Sequence, residues 1–208
     1  KRFHENGRVK ATISYKAESD SAFTVMCDEV GKKVGEGFFL NEQKTGPWRY
    51  FSENNVVAEE TYEKGVKNGK SRKFYTTGEK WEETDWVNGI QEGSYQVFFK
   101  NGKPFFQCKM SNNKRNGLCL SYFENGRVEL EAGYKNGLRH GEWKYFDKEG
   151  THKYSLFYNE GEILNPNVRD SIANLQIINM ERGKESVVDP EKYLTDPTEY
   201  MEKAKIFR

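Results

Sequence analysis

The sequence predicts a mainly β fold: an elongated, single-layer antiparallel meander of short repeats, closed by a helical tail. Three observations predict it. A spacing of 24 residues links Phe3, Cys27, Phe51, Tyr75, Phe99 and Phe123, and a spacing of 23 then reaches Phe146. Turn residues follow each of these closely, at Gly7, Gly31, Asn55, Gly78, Gly102, Gly126 and Gly150. Finally, Val128, Leu130, Ala132 and Tyr134 alternate with Glu129, Glu131 and Gly133, the period of a strand with one buried face.

The elements follow in order. Seven Asn-Gly dipeptides fall on the expected turns; both residues tolerate positive φ, which matches the twist of paired strands. A second set of turns is expected at Gly69, Gly93, Gly117 and Gly141, again 24 apart, with Gly46 one step out of phase. The first repeat, Phe3 to Tyr15, precedes the stretch AESDSAF, which lacks both a turn glycine and alternation and predicts a longer loop. The repeat from Cys27 to Trp48 is the most diverged, with Gly35 and Gly37 at strand positions. Repeats from Trp48 to Tyr145 are regular, and the last keeps its turn at Gly150 before the pattern ends near Ile163. Two strands per repeat, joined by connections this short, can only pair antiparallel. The repeat sheet is therefore assigned to residues 1–164 and a helical extension to 165–208. In that extension Val168 to Met180 carries Val168, Ile172, Leu175 and Ile178 at helical spacing with a stop expected at Gly183, and Asp189–Pro190 and Asp196–Pro197 resemble helix starts.

Composition narrows the function classes. In 208 residues, 33 Lys and Arg stand against 32 Asp and Glu, so no global field draws nucleic acid or an anionic membrane. No run approaches the roughly 18 apolar residues that span a bilayer. The chain opens on Lys1 inside the repeat pattern, so a preceding segment is expected. Cys27, Cys108 and Cys119 form no CxxC pair. A bond between Cys108 and Cys119 is open to a hairpin turning near Asn112–Asn113, but ordinary thiols are the expectation.

Tyr122–Phe123, Gly126, Tyr134, Asn136–Gly137, Gly141, Trp143 and Tyr145–Phe146 together resemble the MORN repeat in its bacterial variant, as found in the YwqK-like family. Trp48 and Tyr50–Phe51 repeat the end of that pattern. The resemblance covers residues 3–163 and implies an elongated antiparallel sheet acting as a binding module. It also implies an extracytoplasmic setting, periplasmic or envelope-associated, over a cytoplasmic one. An antitoxin label attached to some members has no counterpart residue in this chain.

No catalytic constellation is legible. His4, His140 and His152 are dispersed, Glu59, Glu83 and Glu131 align between repeats as a polar face, and every glycine cluster is explained by a hairpin. No catalytic residue, cofactor or metal is expected, and no nucleic-acid partner. Consecutive aromatics point to opposite faces. Trp48, Leu120 and Trp143 are assigned to one face with Tyr50, Tyr122 and Tyr145, and that dense face is expected to be core. The sparser face, with Phe51, Tyr75, Phe99 and Phe123 among Arg49, Lys73 and Lys144, is the candidate partner surface, joined by Tyr200 and Phe207 of the tail. Basic turns carry Lys64, Lys67, Lys70, Lys114, Arg115, Lys135 and Arg139. The expected function is a non-catalytic protein-interaction module or scaffold subunit, for instance of an envelope complex, monomeric while its tail is present. The alternatives are an adaptor binding anionic lipid through the basic turns, or a repeat appendage of a larger enzyme or antitoxin-type protein.

Overall fold

A computed structural model describes residues 1–15 and 20–181. Among these, antiparallel strands follow one another as a meander, and one helix ends them. The chain forms two compact bodies: Lys1–Gly102 with Lys109–Lys114, and Lys103–Cys108 with Arg115 onward.

In the first body the strands are β1 (Arg2–Phe3), β2 (Val9–Tyr15), β3 (Ser21–Cys27), β4 (Lys33–Leu40), β5 (Gln43–Ser52), β6 (Asn55–Glu63), β7 (Val66–Lys67), β8 (Gly69–Phe74), β9 (Lys80–Val87) and β10 (Ile90–Phe98). Then come β11 (Pro104–Ser111), β12 (Lys114–Arg115), β13 (Gly117–Tyr122), β14 (Val128–Lys135), β15 (Leu138–Arg139), β16 (Gly141–Phe146), β17 (His152–Asn159), β18 (Glu162–Ile163) and the helix α1 (Pro166–Glu181). The expected loop AESDSAF is partly strand. Ser21, Ala22 and Phe23 begin β3 and pair with Leu40, Phe39 and Phe38, because Ala22 and Phe23 alternate between the faces after all. Residues 17–19 lie outside the described set.

Two turn types alternate. The first is a three-residue loop closed by glycine in the left-handed region: Phe123 donates to Arg127 O at 2.9 Å and Gly126, at φ 92°, donates to Phe123 O at 2.8 Å. The second is a two-residue turn with both φ positive, at Lys64–Gly65, Asn88–Gly89, Asn112–Asn113, Asn136–Gly137 and Glu160–Gly161. These turns also stack between repeats. Gly65 donates to Lys44 O at 2.9 Å and Gly89 to Lys67 O at 2.8 Å; in the second body Gly137 donates to Arg115 O and Gly161 to Arg139 O, each at 2.8 Å.

The glycines expected to make the second turns do something else. Gly69, Gly93, Gly117 and Gly141 sit about four residues past the turns, at positive φ, where the strand breaks its register. They are bulges, which split β7 from β8, β12 from β13 and β15 from β16, while β10 continues through Gly93 with a shift in register. The short repeat also moves. Phe51 pairs with Val56 around the two-residue turn Glu53–Asn54, whereas Phe74 pairs with Lys80 around a longer loop. The missing residue therefore lies there, and the strand-ending row is Phe51, Phe74, Phe98 in the first body and Tyr122, Phe146 in the second. Tyr75, Phe99 and Phe123 belong to the loops instead.

Register fixes the faces. In the second body Cys119 pairs with Ala132, and Ser121 with Leu130, on the side of Trp143 and Tyr145. Leu120 faces Glu131, so Leu120 and Tyr122 lie on the polar face, contrary to expectation, with Cys119 and Ser121 buried in their stead. Cys108 stands opposite Cys119 at a Cα–Cα distance of 4.3 Å, and the two form a disulfide where thiols were expected. Cys27 is free.

The helix was expected over Val168–Met180 and spans Pro166–Glu181, with proline in its first turn. Asn165 joins it to the sheet: its Oδ1 accepts from Phe157 N at 2.8 Å and its Nδ2 donates to Ser155 O at 2.9 Å. The expected stop at Gly183 and the two Asp-Pro helix starts lie outside the described residues.

Candidate functional site

The ring face is built from rows of cross-strand partners. In the first body Trp48 is fully buried and lies edge-on to Phe39, 5.0 Å between centroids. In the second, Trp143 is fully buried between Tyr134 at 5.2 Å and Tyr158 at 5.1 Å. Four cations then cover the rings, at a position that Gln91 fills in the repeat between them. Lys44 Nζ sits 4.6 Å from the Trp48 centroid and donates to Tyr50 OH at 2.7 Å. Lys67 Nζ lies 4.8 Å from Trp86 and pairs with Glu60. Arg115 Cζ lies 5.2 Å from Phe106, and Arg139 Cζ lies 5.3 Å from Trp143 and 5.2 Å from Tyr158. Of the basic turn residues, Lys67, Arg115 and Arg139 thus point inward, onto aromatic rings.

A polar network tightens the same face. Tyr62 OH contacts Tyr50 OH at 3.1 Å and donates to Glu60. Burial alone would raise the Glu60 carboxyl, but hydrogen bonds from Lys67 and Tyr62 outweigh it and hold it below the ordinary value. Burial and the Glu60 carboxylate push the Tyr62 phenol far up, so it remains a donor.

The opposite face of the first body is a ladder of alternating charge. Arg49 Nη1 lies 3.7 Å from Glu36 and its Nε 3.7 Å from Glu59; Arg72 lies 3.7 Å from Glu59 and 2.8 Å from Glu83. Lys70 adds Glu83 at 3.3 Å and Asp85 at 2.8 Å. Burial would raise Glu83 and Asp85, yet the Arg72 and Lys70 hydrogen bonds hold both low. The alignment of Glu59 with Glu83 is this ladder, and in the second body Lys144 lies 3.8 Å from Glu131 and 3.7 Å from Glu142.

The residues expected to bind a partner do not gather. Tyr75 and Phe99 are buried, so neither can line a surface; Tyr75 donates to Phe98 O at 2.8 Å, and burial raises its phenol to about 12. They were misplaced because the short loop shifts their row. Phe51 is half-buried under Lys33 Nζ, 3.7 Å from its centroid, and Phe123 is half-buried. Arg49 and Lys144 belong to the charge ladders, and Lys73 pairs with Glu82 at 3.1 Å. Tyr200 and Phe207 lie outside the described residues.

What remains exposed and apolar was not singled out by sequence. In the first body Leu40, Val66, Val87 and Ile90 stand open along the two-residue turns, with Val87 directly opposite Ile90. In the second, Leu138 does the same, and Leu118 is exposed just after the Gly117 bulge. Their signal is an aliphatic residue immediately after the turn, as in Gly65–Val66, Gly89–Ile90 and Gly137–Leu138. Among the described residues no cluster of His, Cys, Asp or Glu is arranged to hold a metal ion. His4 bonds to Cys27 O at 2.9 Å and His152 to Ser155 Oγ at 2.9 Å.

The repeat geometry now has a counterpart. Residues 115–136 and 139–160 match the MORN repeat variant family. Each matched MORN stretch begins at the arginine lying on the rings and ends at a two-residue turn. MORN repeats are generally protein- or membrane-binding modules and typically non-catalytic. No curated protein matches the chain.

Proposed function

We propose that this chain is a non-catalytic docking module for a protein partner, a scaffold subunit of a larger complex. The observation that carries the reading is the set of exposed aliphatic residues kept beside the turns, on a sheet whose buried rings and ladder charges already have partners within the chain. Large exposed aliphatics held at repeat spacing cost solubility and favour a protein surface as their complement. A lipid-binding edge would need cations free to meet phosphates, whereas Lys44, Lys67, Arg115 and Arg139 lie over rings. The Cys108–Cys119 disulfide supports an oxidising, extracytoplasmic compartment, in keeping with the YwqK-like branch of bacterial repeats.

The test combines Val66→Asp, Ile90→Asp and Leu138→Asp. These surface changes are expected to leave the thermal melt within about 0.5 kcal/mol per site. Partner capture by cross-linking in the native source should fall at least about tenfold. Unchanged capture, together with co-sedimentation on anionic vesicles at physiological salt, would instead establish the membrane-adaptor reading.

A further inference from the structure

The charge ladder of the first body and the exposed aliphatics beside its turns lie on one face. Pairing carries the row Glu36, Arg49, Glu59, Arg72, Glu83, Gln96 across β4, β5, β6, β8, β9 and β10. Leu40 follows Glu36 on β4 and Val87 follows Glu83 on β9 at even spacing, so both share the side of the ladder. Val87 pairs with Ile90, and Val66 pairs with Glu63, which follows Glu59 on β6 at the same spacing. The face therefore carries two parallel rows, one of alternating charge and one holding Leu40, Val66, Val87 and Ile90. These aliphatics are between 38% and 48% exposed.

The two rows are complementary to themselves. A two-fold axis running along the strands, between β6 and β8, exchanges β6 with β8, β5 with β9 and β4 with β10. Two copies laid face to face about it set Glu59 against Arg72 of the second copy, Arg49 against its Glu83 and Glu36 against its Gln96. The same axis sets Leu40 against the second copy's Ile90 and brings Val66 beside Val66. Phe38, 41% exposed, falls opposite the bulge at Gly93, where no side chain projects. An axis on β6 itself would oppose Glu59 to Glu59 and Arg49 to Arg72, like against like, which is costly. Of the axes that oppose unlike charges, the one between β6 and β8 overlaps all six strands and meets aliphatic with aliphatic at both ends. The second body has no such match. Its ladder row runs Gln107, Leu120, Glu131, Lys144, Ser155, with one acid and one base.

We infer that the first body docks a second copy of this chain, ladder face to ladder face, in a closed two-fold pair. Sheets stacked this way keep their strand directions within about 30° and lie about 10 Å apart, a gap that facing long side chains fill. Six strands about 4.8 Å apart and about seven residues long cover roughly 650 Å² per copy, so the pair buries roughly 1,300 Å², the low end of specific interfaces. Half-exposed charges also lose water on pairing, which offsets part of the attraction. The dimer is therefore a weak one, formed in the micromolar range, and the chain is a monomer below it. A two-fold pair stops at two copies, whereas head-to-tail association through open strand edges continues. The inference rests on the protein-docking reading: it names a second copy as the occupant of the first body's stripe and leaves Leu138 of the second body to other proteins.

The test is sedimentation equilibrium of the purified full chain across the micromolar range, with the thermal melt read in parallel. The wild type should pass reversibly from monomer to dimer and no further. Leu40→Asp and Ile90→Lys, each at an exposed site, should each weaken the dimer at least about tenfold and leave the melt of the dilute chain in place. An equimolar mixture of the two variants should dimerise again. In the mixed pair the introduced carboxylate meets the introduced ammonium at one contact, and the wild-type contact of Leu40 with Ile90 survives at the other. A chain that stays monomeric throughout overturns the inference, as does a dimer indifferent to both substitutions, which would lie on another surface. Variants that lose the dimer and fail to recover it on mixing overturn the two-fold arrangement. If the chain is monomeric while capture in the native source still falls in the Val66, Ile90 and Leu138 variants, the docking reading stands and the stripe belongs to a different protein. A dimer alongside unchanged capture removes the different protein and keeps the pair.

Discussion

Trp48 and Trp143 each donate the indole N–H to a carbonyl ten residues earlier, Phe38 O at 3.0 Å and Gly133 O at 2.9 Å. Gly37 explains how the first ring fits: a Cβ there would come within 2.4 Å of the Trp48 indole, so the ring lies flat on bare backbone. In the second body the ring carries both neighbouring tyrosines and the Arg139 guanidinium. Trp143→Ala should therefore destabilise the chain by about 3–5 kcal/mol in denaturant melts, the range for a large buried aromatic. Trp143→Phe, which keeps most of the packing and loses the hydrogen bond, should cost about 1–2 kcal/mol. A loss under about 1 kcal/mol for the alanine variant would place the ring outside the core. The burial of these two tryptophans was legible in the sequence, because they recur at the end of the repeat pattern with tyrosine two residues on. That Lys67, Arg115 and Arg139 fold back over rings was not: periodicity places a residue beside a turn but does not say which way a long side chain lies.

At the scale of the element, the meander and its period were readable because Asn-Gly turns and alternating strands repeat many times. The turn assignments slipped for a physical reason. Glycine at positive φ serves a tight turn and a bulge equally well, so Gly69 or Gly141 looks like a turn until pairing is known. The one-residue contraction at Glu53–Asn54 then shifted an aromatic row from strand to loop, which carried Tyr75 and Phe99 to the wrong surface. The charge ladder is half visible in the sequence, as aligned glutamates, while Arg49 reads there as part of a binding rim. Its titration follows from direction alone. Glu83 and Asp85 of the ladder, like Glu60 on the ring face, have carboxyls held low in the folded chain, so their contribution is complete above the ordinary carboxylate range and lost as pH falls below about 4. The gap in melting temperature between the wild type and Glu83→Gln should be widest near neutral pH and close on acidification. A gap constant from pH 7 to 3 would mean that the ladder contributes no charge-dependent stability.

At the scale of the molecule, a meander must end somewhere, and an exposed last strand invites pairing with another chain. In the second body β17 is followed by only the two-residue β18, whose pairing stops at Tyr158 and Asn159. Beyond it the edge is closed by other means. Leu164 N donates to Phe157 O at 2.7 Å, and the Asn165 amide occupies Phe157 N and Ser155 O as a neighbouring strand would. The helix that follows half-buries Val168 and Ile172 and leaves Leu175 exposed. We propose that residues 164–208 cap the repeats, as terminal elements of repeat arrays do. Truncation after Ile163 removes the asparagine clamp and the helix together. It should lower the melting temperature and, with backbone groups of β17 unpaired, drive concentration-dependent association in light scattering. Asn165→Ala alone should reproduce part of the loss, about 1–3 kcal/mol for two backbone groups left without their partner. A truncated chain that stays monomeric and melts with the full-length protein would show that the edge needs no cap. The extension would then be the first segment to test for partner binding.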